Sequence, residues 1–169
     1  MIEINLLSGE AEKALRDLAS RVQNLRPALK AIGERMVEST KQRFVTSTAP
    51  DGTQWEPNKP STIAKYTHRV SGTMTKDRKL MTKKGEQRWD SKKPLIDSGT
   101  LGEQIHARLI DNKTLFVYSS MEYAAMQQFG GTKAEFPQLW GDIPPRPFLG
   151  VSAEDNAMIE KLCREYLQP

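Results

Sequence analysis

Two histidines and one cysteine are the side chains from which a metal site would first be built in this chain of 169 residues. His68 lies in a run of cations and His106 in an alternating stretch. Neither has a second His or Cys at ligand spacing, so the sequence holds no recognisable zinc pattern. Cys163 stands alone, cannot close an internal disulfide, and reads as a small hydrophobe on the last helix. Ser98-Gly99 resembles half of a nucleophile elbow but lacks the flanking Gly-x-Ser-x-Gly frame. Gly130-Gly131 follows a helix instead of opening one, so it offers no phosphate cradle. Glu154 and Asp155 fall in a first helical turn, where carboxylates complement the dipole. No acid, base and nucleophile converge. The reading is of a protein that is not an enzyme, with no cofactor, metal or small-molecule substrate.

The chemistry left over is recognition, and charge marks where. Residues 65–93 carry ten Lys or Arg against three acids, a local +7, so the rest of the chain must hold −3 of the total +4. Residues 67–93 contain only five strongly apolar side chains, Val70, Met74, Leu80, Met81 and Trp89, in no regular period. Such a segment buries too little to offset its ordering cost, which predicts a mobile or extended basic arm. Long segments of this kind are functional or disordered. Three readings stay open: a solvated insertion, contact with a neighbouring subunit, or contact with nucleic acid. For the last two the candidates are Lys76, Arg78, Lys79, Lys83, Lys84 and Arg88, with Tyr66 and Trp89 able to stack on bases.

The elements that would position these groups follow from periodicity. Leu15, Leu18 and Val22 make one stripe of a helix over residues 9–24, with Glu10 and Glu12 at its positive end. A second helix starts at Arg26-Pro27, with Leu29, Ile32, Met36 and Phe44 inward and Lys30, Glu34, Glu38, Lys41 and Gln42 outward. Residues 46–60 are turn chemistry around Trp55, which either caps a core edge or anchors a protein contact. Ser61 to Tyr66 allows one helical turn. Ile105, Ala107 and Leu109, then Leu115 and Val117 after an Asp111-Asn-Lys113 turn, alternate as a β-hairpin. Its second strand is apolar on both faces, so it is central under helices or its Phe116 and Tyr118 face meets another subunit. Ile2, Ile4 and Leu6 could add an edge strand or lead into the first helix. Ser152-x-x-Asp155 caps a last helix with Ile159, Leu162, Cys163 and Tyr166 as its stripe.

Two further pieces stand out. Met121, Ala125 and Phe129 share one face of a short helix, which Gly130 ends in a left-handed conformation. Ile143-Pro-Pro-Arg-Pro-Phe-Leu-Gly150 then has three prolines in four residues, which makes it a stiff extended strap, neither interior helix nor central strand. The fold class is α+β: N-terminal helices and a C-terminal helix packed on a small antiparallel sheet, with a long basic loop, in one domain over residues 1–169. An apolar fraction of 37% is low for this length and suggests surfaces completed by partners. No apolar run approaches a membrane span, and the N-terminus lacks the features of a signal peptide.

Tyr123-Ala and Gln128-Phe-Gly-Gly, then Ile143-Pro-x-Arg-Pro-Phe-Leu-Gly before a terminal helix, resemble the phage virion morphogenesis family, the tail-completion proteins of contractile-tailed and Mu-like phages. Arg35-Met36 through Phe44, Asp51-Gly-x-x-Trp55-x-Pro57, and Pro94-Leu95 with Ser98-Gly99-x-Leu101 are similar to that pattern and in its order. Gln127 stands where members often carry His, and Pro145 where they carry a small residue. The resemblance implies a virion part that completes the tail and joins head to tail at the neck. It would form a ring of copies and contact neck, portal-side or tail proteins, in the host cytoplasm during assembly and then in the virion. Trp55, Tyr123, Phe129, Arg146 and Phe148 are the packing or docking residues on this reading. Arg146 is the strongest interface candidate, because guanidinium presents a fixed fork. A nucleic-acid-binding module using residues 65–93 is the alternative.

Overall fold

The computed structural model describes residues 9–77, 79–139 and 141–168. The N-terminal alternation of Ile2, Ile4 and Leu6 and the candidate Arg78 lie outside the described residues. The elements are α1 (Gly9–Gln23), α2 (Arg26–Thr46), α3 (Pro60–His68), α4 (Lys83–Asp90), α5 (Thr100–Glu103), β1 (Ile105–Leu109), β2 (Leu115–Ser119), α6 (Ala124–Phe129) and α7 (Ala153–Leu167). The fold class is α+β, with one two-stranded sheet among the described residues. The chain divides into two compact units.

Unit one holds the described residues up to Ser39, the hairpin residues His106–Tyr118, and the chain from Val151 on. Helix α2 turns Ala28, Ile32 and Met36 inward at four-residue spacing, while Lys30, Glu34 and Glu38 are exposed. Gly33 lets the hairpin lie close, since a Cβ there would stand 3.0 Å from both Ala107 Cβ and a Leu115 methyl. The Asp111 carboxylate closes the hairpin turn by accepting from the amides of Lys113 and Thr114, each at 2.7 Å. Helix α7 begins with the capping box read from sequence: Ser152 Oγ accepts from Asp155 N at 3.1 Å, and Asp155 Oδ2 from Ser152 N at 2.9 Å. Its stripe of Ile159, Leu162, Cys163 and Tyr166 is half-buried. The Tyr166 hydroxyl donates to Asn24 O, and Arg21 donates to Tyr166 O, which ties α7 to the end of α1.

One expectation for this unit is corrected and another is narrowed. The α1 stripe is not packed: Leu15 is 66% exposed, Leu18 and Val22 are exposed too, and the helix has no buried residue. Of the two readings of strand β2, the central one falls, because the described sheet has only two strands; its Phe116 is 56% exposed with Tyr118 also exposed, which leaves the reading of a face open to another subunit. Periodicity shows that a stripe is apolar but not that anything covers it.

Unit two spans residues 40–105 and 119–150. Its core is aromatic: the Phe44 ring meets Trp55 edge-on and Phe148 at a tilt, both with centroids 5.4 Å apart. Leu101 and Ala49 are buried in the same unit. The one turn allowed at Ser61–Tyr66 is nine residues of helix, α3, started by Pro60 in its first turn.

Residues 67–93 do not run as an extended arm without secondary structure. Residues 73–75 pair with residues 80–82, with Thr75 N donating to Leu80 O and Thr82 N to Thr73 O, and α4 follows and packs on α3. Polar groups and one glycine do what apolar burial cannot. Thr73 is buried and its hydroxyl donates to Thr67 O and Val70 O, while Thr82 caps α4 by accepting from Gly85 N. At Gly85 a Cβ would lie 2.2 Å from Thr73 O, so only glycine allows this approach.

Candidate functional site

The strap must satisfy its backbone without a ladder, because three of its residues are proline and lack an N–H. Side chains from three other segments supply the partners. Trp55 Nε1 donates to Pro147 O at 2.8 Å, Arg43 Nη1 to Phe148 O at 2.8 Å and Gly150 O at 2.9 Å, and Gln128 Nε2 to Leu149 O at 2.9 Å. Each carbonyl from Pro147 to Gly150 therefore accepts from a side chain. The amides are matched as well: Gln128 Oε1 accepts from Phe148 N at 2.9 Å and Leu149 N at 3.0 Å, and Gln127 O from Arg146 N at 2.9 Å.

Arg146 returns the contact from within the strap. Its Nε donates to Glu56 O at 2.8 Å and its Nη2 to Pro57 O at 3.1 Å. Burial pulls its pKa below the ordinary arginine value, with the Glu56 carboxylate opposing that shift. Helix α6 positions Gln128 and ends at Gly130, whose φ is positive as the sequence suggested. Its ψ of −174° is not left-handed helix, however, but a region essentially reserved for glycine. A Cβ there would stand 2.8 Å from Ile143 O and Pro145 N. Gly131 and Ile143 exchange both backbone hydrogen bonds, which pins the start of the strap beside the end of α6.

This arrangement sorts the docking residues read from sequence. Trp55, Arg146 and Phe148 are interior, and Phe148 is 0% exposed. The fork of Arg146 is directed at this chain's own carbonyls, so the structure corrects its placement at a surface. Tyr123 and Phe129 are exposed, Phe129 at 77%. The short helix is also corrected: it begins at Ala124, which is its buried residue, while Ala125 and Phe129 face out and Met121 precedes it. Phe129 lines a hollow of about 450 Å³ with Phe136, Pro144 and Pro145.

The basic residues divide in a similar way. Lys84 Nζ donates to Ser71 O, Lys93 Nζ to Val45 O, and Arg88 Nε to Tyr66 O while its guanidinium stacks 3.8 Å from the Tyr66 ring centre. Arg69 pairs with Asp97 at 2.7 Å, and that hydrogen bond is the main cause holding the Asp97 carboxyl below its usual range. Lys76, Lys79 and Lys83 are exposed. Three of these cations thus bind main-chain carbonyls, those of Tyr66 and Val45 in the last turns of α3 and α2 and that of Ser71 just after α3.

Arg43 escaped the sequence reading. Its register gave a signal, since it lies seven residues after Met36 and three after Thr40, both buried on the same face of α2. An arginine at a core register implies main-chain acceptors close by. Among the described residues no group of three or more His, Cys, Asp or Glu could hold a metal ion, and no helix is long and apolar enough to cross a membrane.

The sequence profile of the phage virion morphogenesis family matches residues 8–168. The chain is also similar to tail completion protein S of Escherichia phage P2, 25% identical over 151 residues that cover 81% of this chain and 80% of that protein. No solved structure matches it.

Proposed function

The chain belongs to the phage virion morphogenesis family, and from that premise we propose that it is a structural part of the virion that completes the tail and joins it to the head at the neck, as a ring of copies. The observation that carries this reading is the family match over nearly the whole chain, residues 8–168, together with the relative's description as a tail completion protein. Ring formation is supported by the apolar side chains left on the surface, Phe129 and Tyr123 in one unit and Leu15 and Phe116 in the other. Head-to-tail contacts between copies close into rings when the rotation permits. The neighbours are neck, portal-side or tail proteins, and the sites of action are the host cytoplasm during assembly and then the head–tail junction. The role is one of contact and needs no catalysis.

The test is a phage deleted for this gene and complemented in trans. Wild-type protein should restore joined, infectious particles. Phe129→Asp should leave separated heads and tails while the purified variant melts with the wild type, since the side chain is exposed. Normally joined particles without the gene would end the proposal. The ring is checked by light scattering on the protein alone and with tails added.

A second reading, contact with DNA, keeps the exposed Lys76, Lys79 and Lys83 in its favour. Three neutralised phosphates would give a log–log salt slope of about −2.7 on duplex DNA. A flat response removes it.

A further inference from the structure

Unit two contains a second and larger concavity, a cleft of about 700 Å³ bounded by α3, the turn before α5 and the lead-in to the strap. That volume is within the roughly 300–1,000 Å³ typical of ligand clefts. Five of its side chains are cationic, Lys59, Lys65, Arg69, Lys92 and Arg146, against Asp97 and Asp142, so it concentrates +3. Lys59, Lys65 and Arg69 are exposed, Leu95, Ile96, Ile143 and Pro144 are half-buried, and Arg146 is buried, so three accessible cations accompany a partly apolar lining. Lys59 is held in place by Asp142 O at 3.1 Å and Arg69 by Asp97. Each keeps further N–H donors, because an ammonium has three and a guanidinium five. The Lys92 side chain is only 7% exposed and adds field more than contact. Leu95 has a φ of +59°, a conformation rare for a bulky residue and one that collects at ligand clamps.

We infer that this cleft receives an extended acidic segment of a partner protein, with its carboxylates on Lys59, Lys65 and Arg69 and its apolar side chains against Leu95, Ile96, Ile143 and Pro144. The inference rests on the reading of the chain as a virion assembly part, whose partners are proteins. Charge complementarity selects the acidic class, and the apolar part of the lining selects a peptide over a phosphate chain. Two carboxylates at the cleft favour the same choice. The Asp97 side chain is 59% exposed and Asp142 is exposed too, so both can accept peptide N–H groups, which a phosphate chain does not offer. Basic clefts raise the local concentration of such segments and speed their docking.

The experiment selects a displayed library of random heptapeptides on the full-length protein. Asp and Glu should be enriched at least twofold over the input, with aliphatic residues between them. A labelled peptide of the selected sequence should bind the double variant Lys59→Glu/Lys65→Glu at least tenfold more weakly. It should bind Lys76→Glu/Lys79→Glu, which reverses the same charge outside the cleft, within twofold of wild type. All four positions are exposed, and matching thermal melts show that both variants are folded. Enrichment without acids, no enrichment, or equal losses in the two variants would overturn the inference. So would displacement of the peptide by oligothymidylate whose own binding depends on Lys59 and Lys65. Particle joining is scored separately in infected cells, so a protein that joins particles yet binds no acidic peptide overturns the cleft alone.

Discussion

The two units stabilise themselves by different means. Unit one is built mainly from regular elements whose ladders satisfy most of the backbone, with side chains such as Arg21, Tyr166 and Asp111 serving only element ends and the hairpin turn. Its apolar side chains cover one another incompletely on α1 and β2. Unit two contains long irregular stretches, and there the side chains of Arg43, Trp55 and Gln128 serve the main chain of the strap while the aromatic core closes around it. A regular element meets its hydrogen-bonding needs locally and leaves its faces available. An irregular one has to be held from outside, so the residues holding it become interior. This explains why the strap, whose stiffness suggested a docking element, is itself docked inside its own chain.

The contrast is sharpest in a pair of truncations. Phe148→Ala removes a ring with no exposure and should destabilise unit two by about 3–5 kcal/mol. Phe116→Ala removes an exposed ring in unit one and should cost no more than about 0.5 kcal/mol. Denaturant unfolding followed by tryptophan emission, to which Trp55 contributes through its hydrogen bond to Pro147 O and its contact with Phe44, measures the first. Far-ultraviolet dichroism measures both. Comparable losses in the two variants would mean that the Phe116 face is covered in solution and that the difference between the units is false.

A smaller effect is expected at Gln128. Gln128→Leu keeps the side chain's bulk but strands the amides of Phe148 and Leu149 and the carbonyl of Leu149, a loss of about 1–3 kcal/mol. Amide exchange at Phe148 and Leu149 should accelerate while that of the α7 amides stays as it was. Unchanged exchange at those two amides would show that the strap is held by packing alone.

Sequence reading served the two units unequally for the same physical reason. Regular elements announce themselves: α1 and both strands fall where periodicity put them, and the Ser152–Asp155 box does what its spacing implies. The folding of residues 67–93 was not legible, because it rests on Thr67 and Thr73 buried without an apolar period, and on Gly85 leaving room for the Thr73 carbonyl. Arg43 and Gln128 were hidden in another way, since polar residues on helices read as solvated unless the main chain they meet is known. The exposure of the α1 stripe and of Phe116 was beyond any period, which reports what a face is made of and never what covers it.

The finest test of the comparison uses a device that both units share. Asp51 in unit two and Asp111 in unit one each close a turn by accepting from amides and hydroxyls just ahead, Thr53 for the first and Lys113 with Thr114 for the second. In both, these hydrogen bonds hold the carboxyl below its ordinary value of about 3.9: the Thr53 hydroxyl first at Asp51, the Lys113 amide first at Asp111. A depressed carboxyl supports the fold above its unfolded pKa, and that support is lost as pH falls through the folded value. Both groups are fully exposed, so the effect is local to the turn. Carboxyl carbon shifts should therefore titrate below about 3.9 at both positions. Asp111→Asn should move the amides of Lys113 and Thr114 and leave Thr53 still. Titration of Asp111 at or above the ordinary value would show that the hairpin turn is not closed in solution, and unit one would then lose the local self-sufficiency that distinguishes it from unit two.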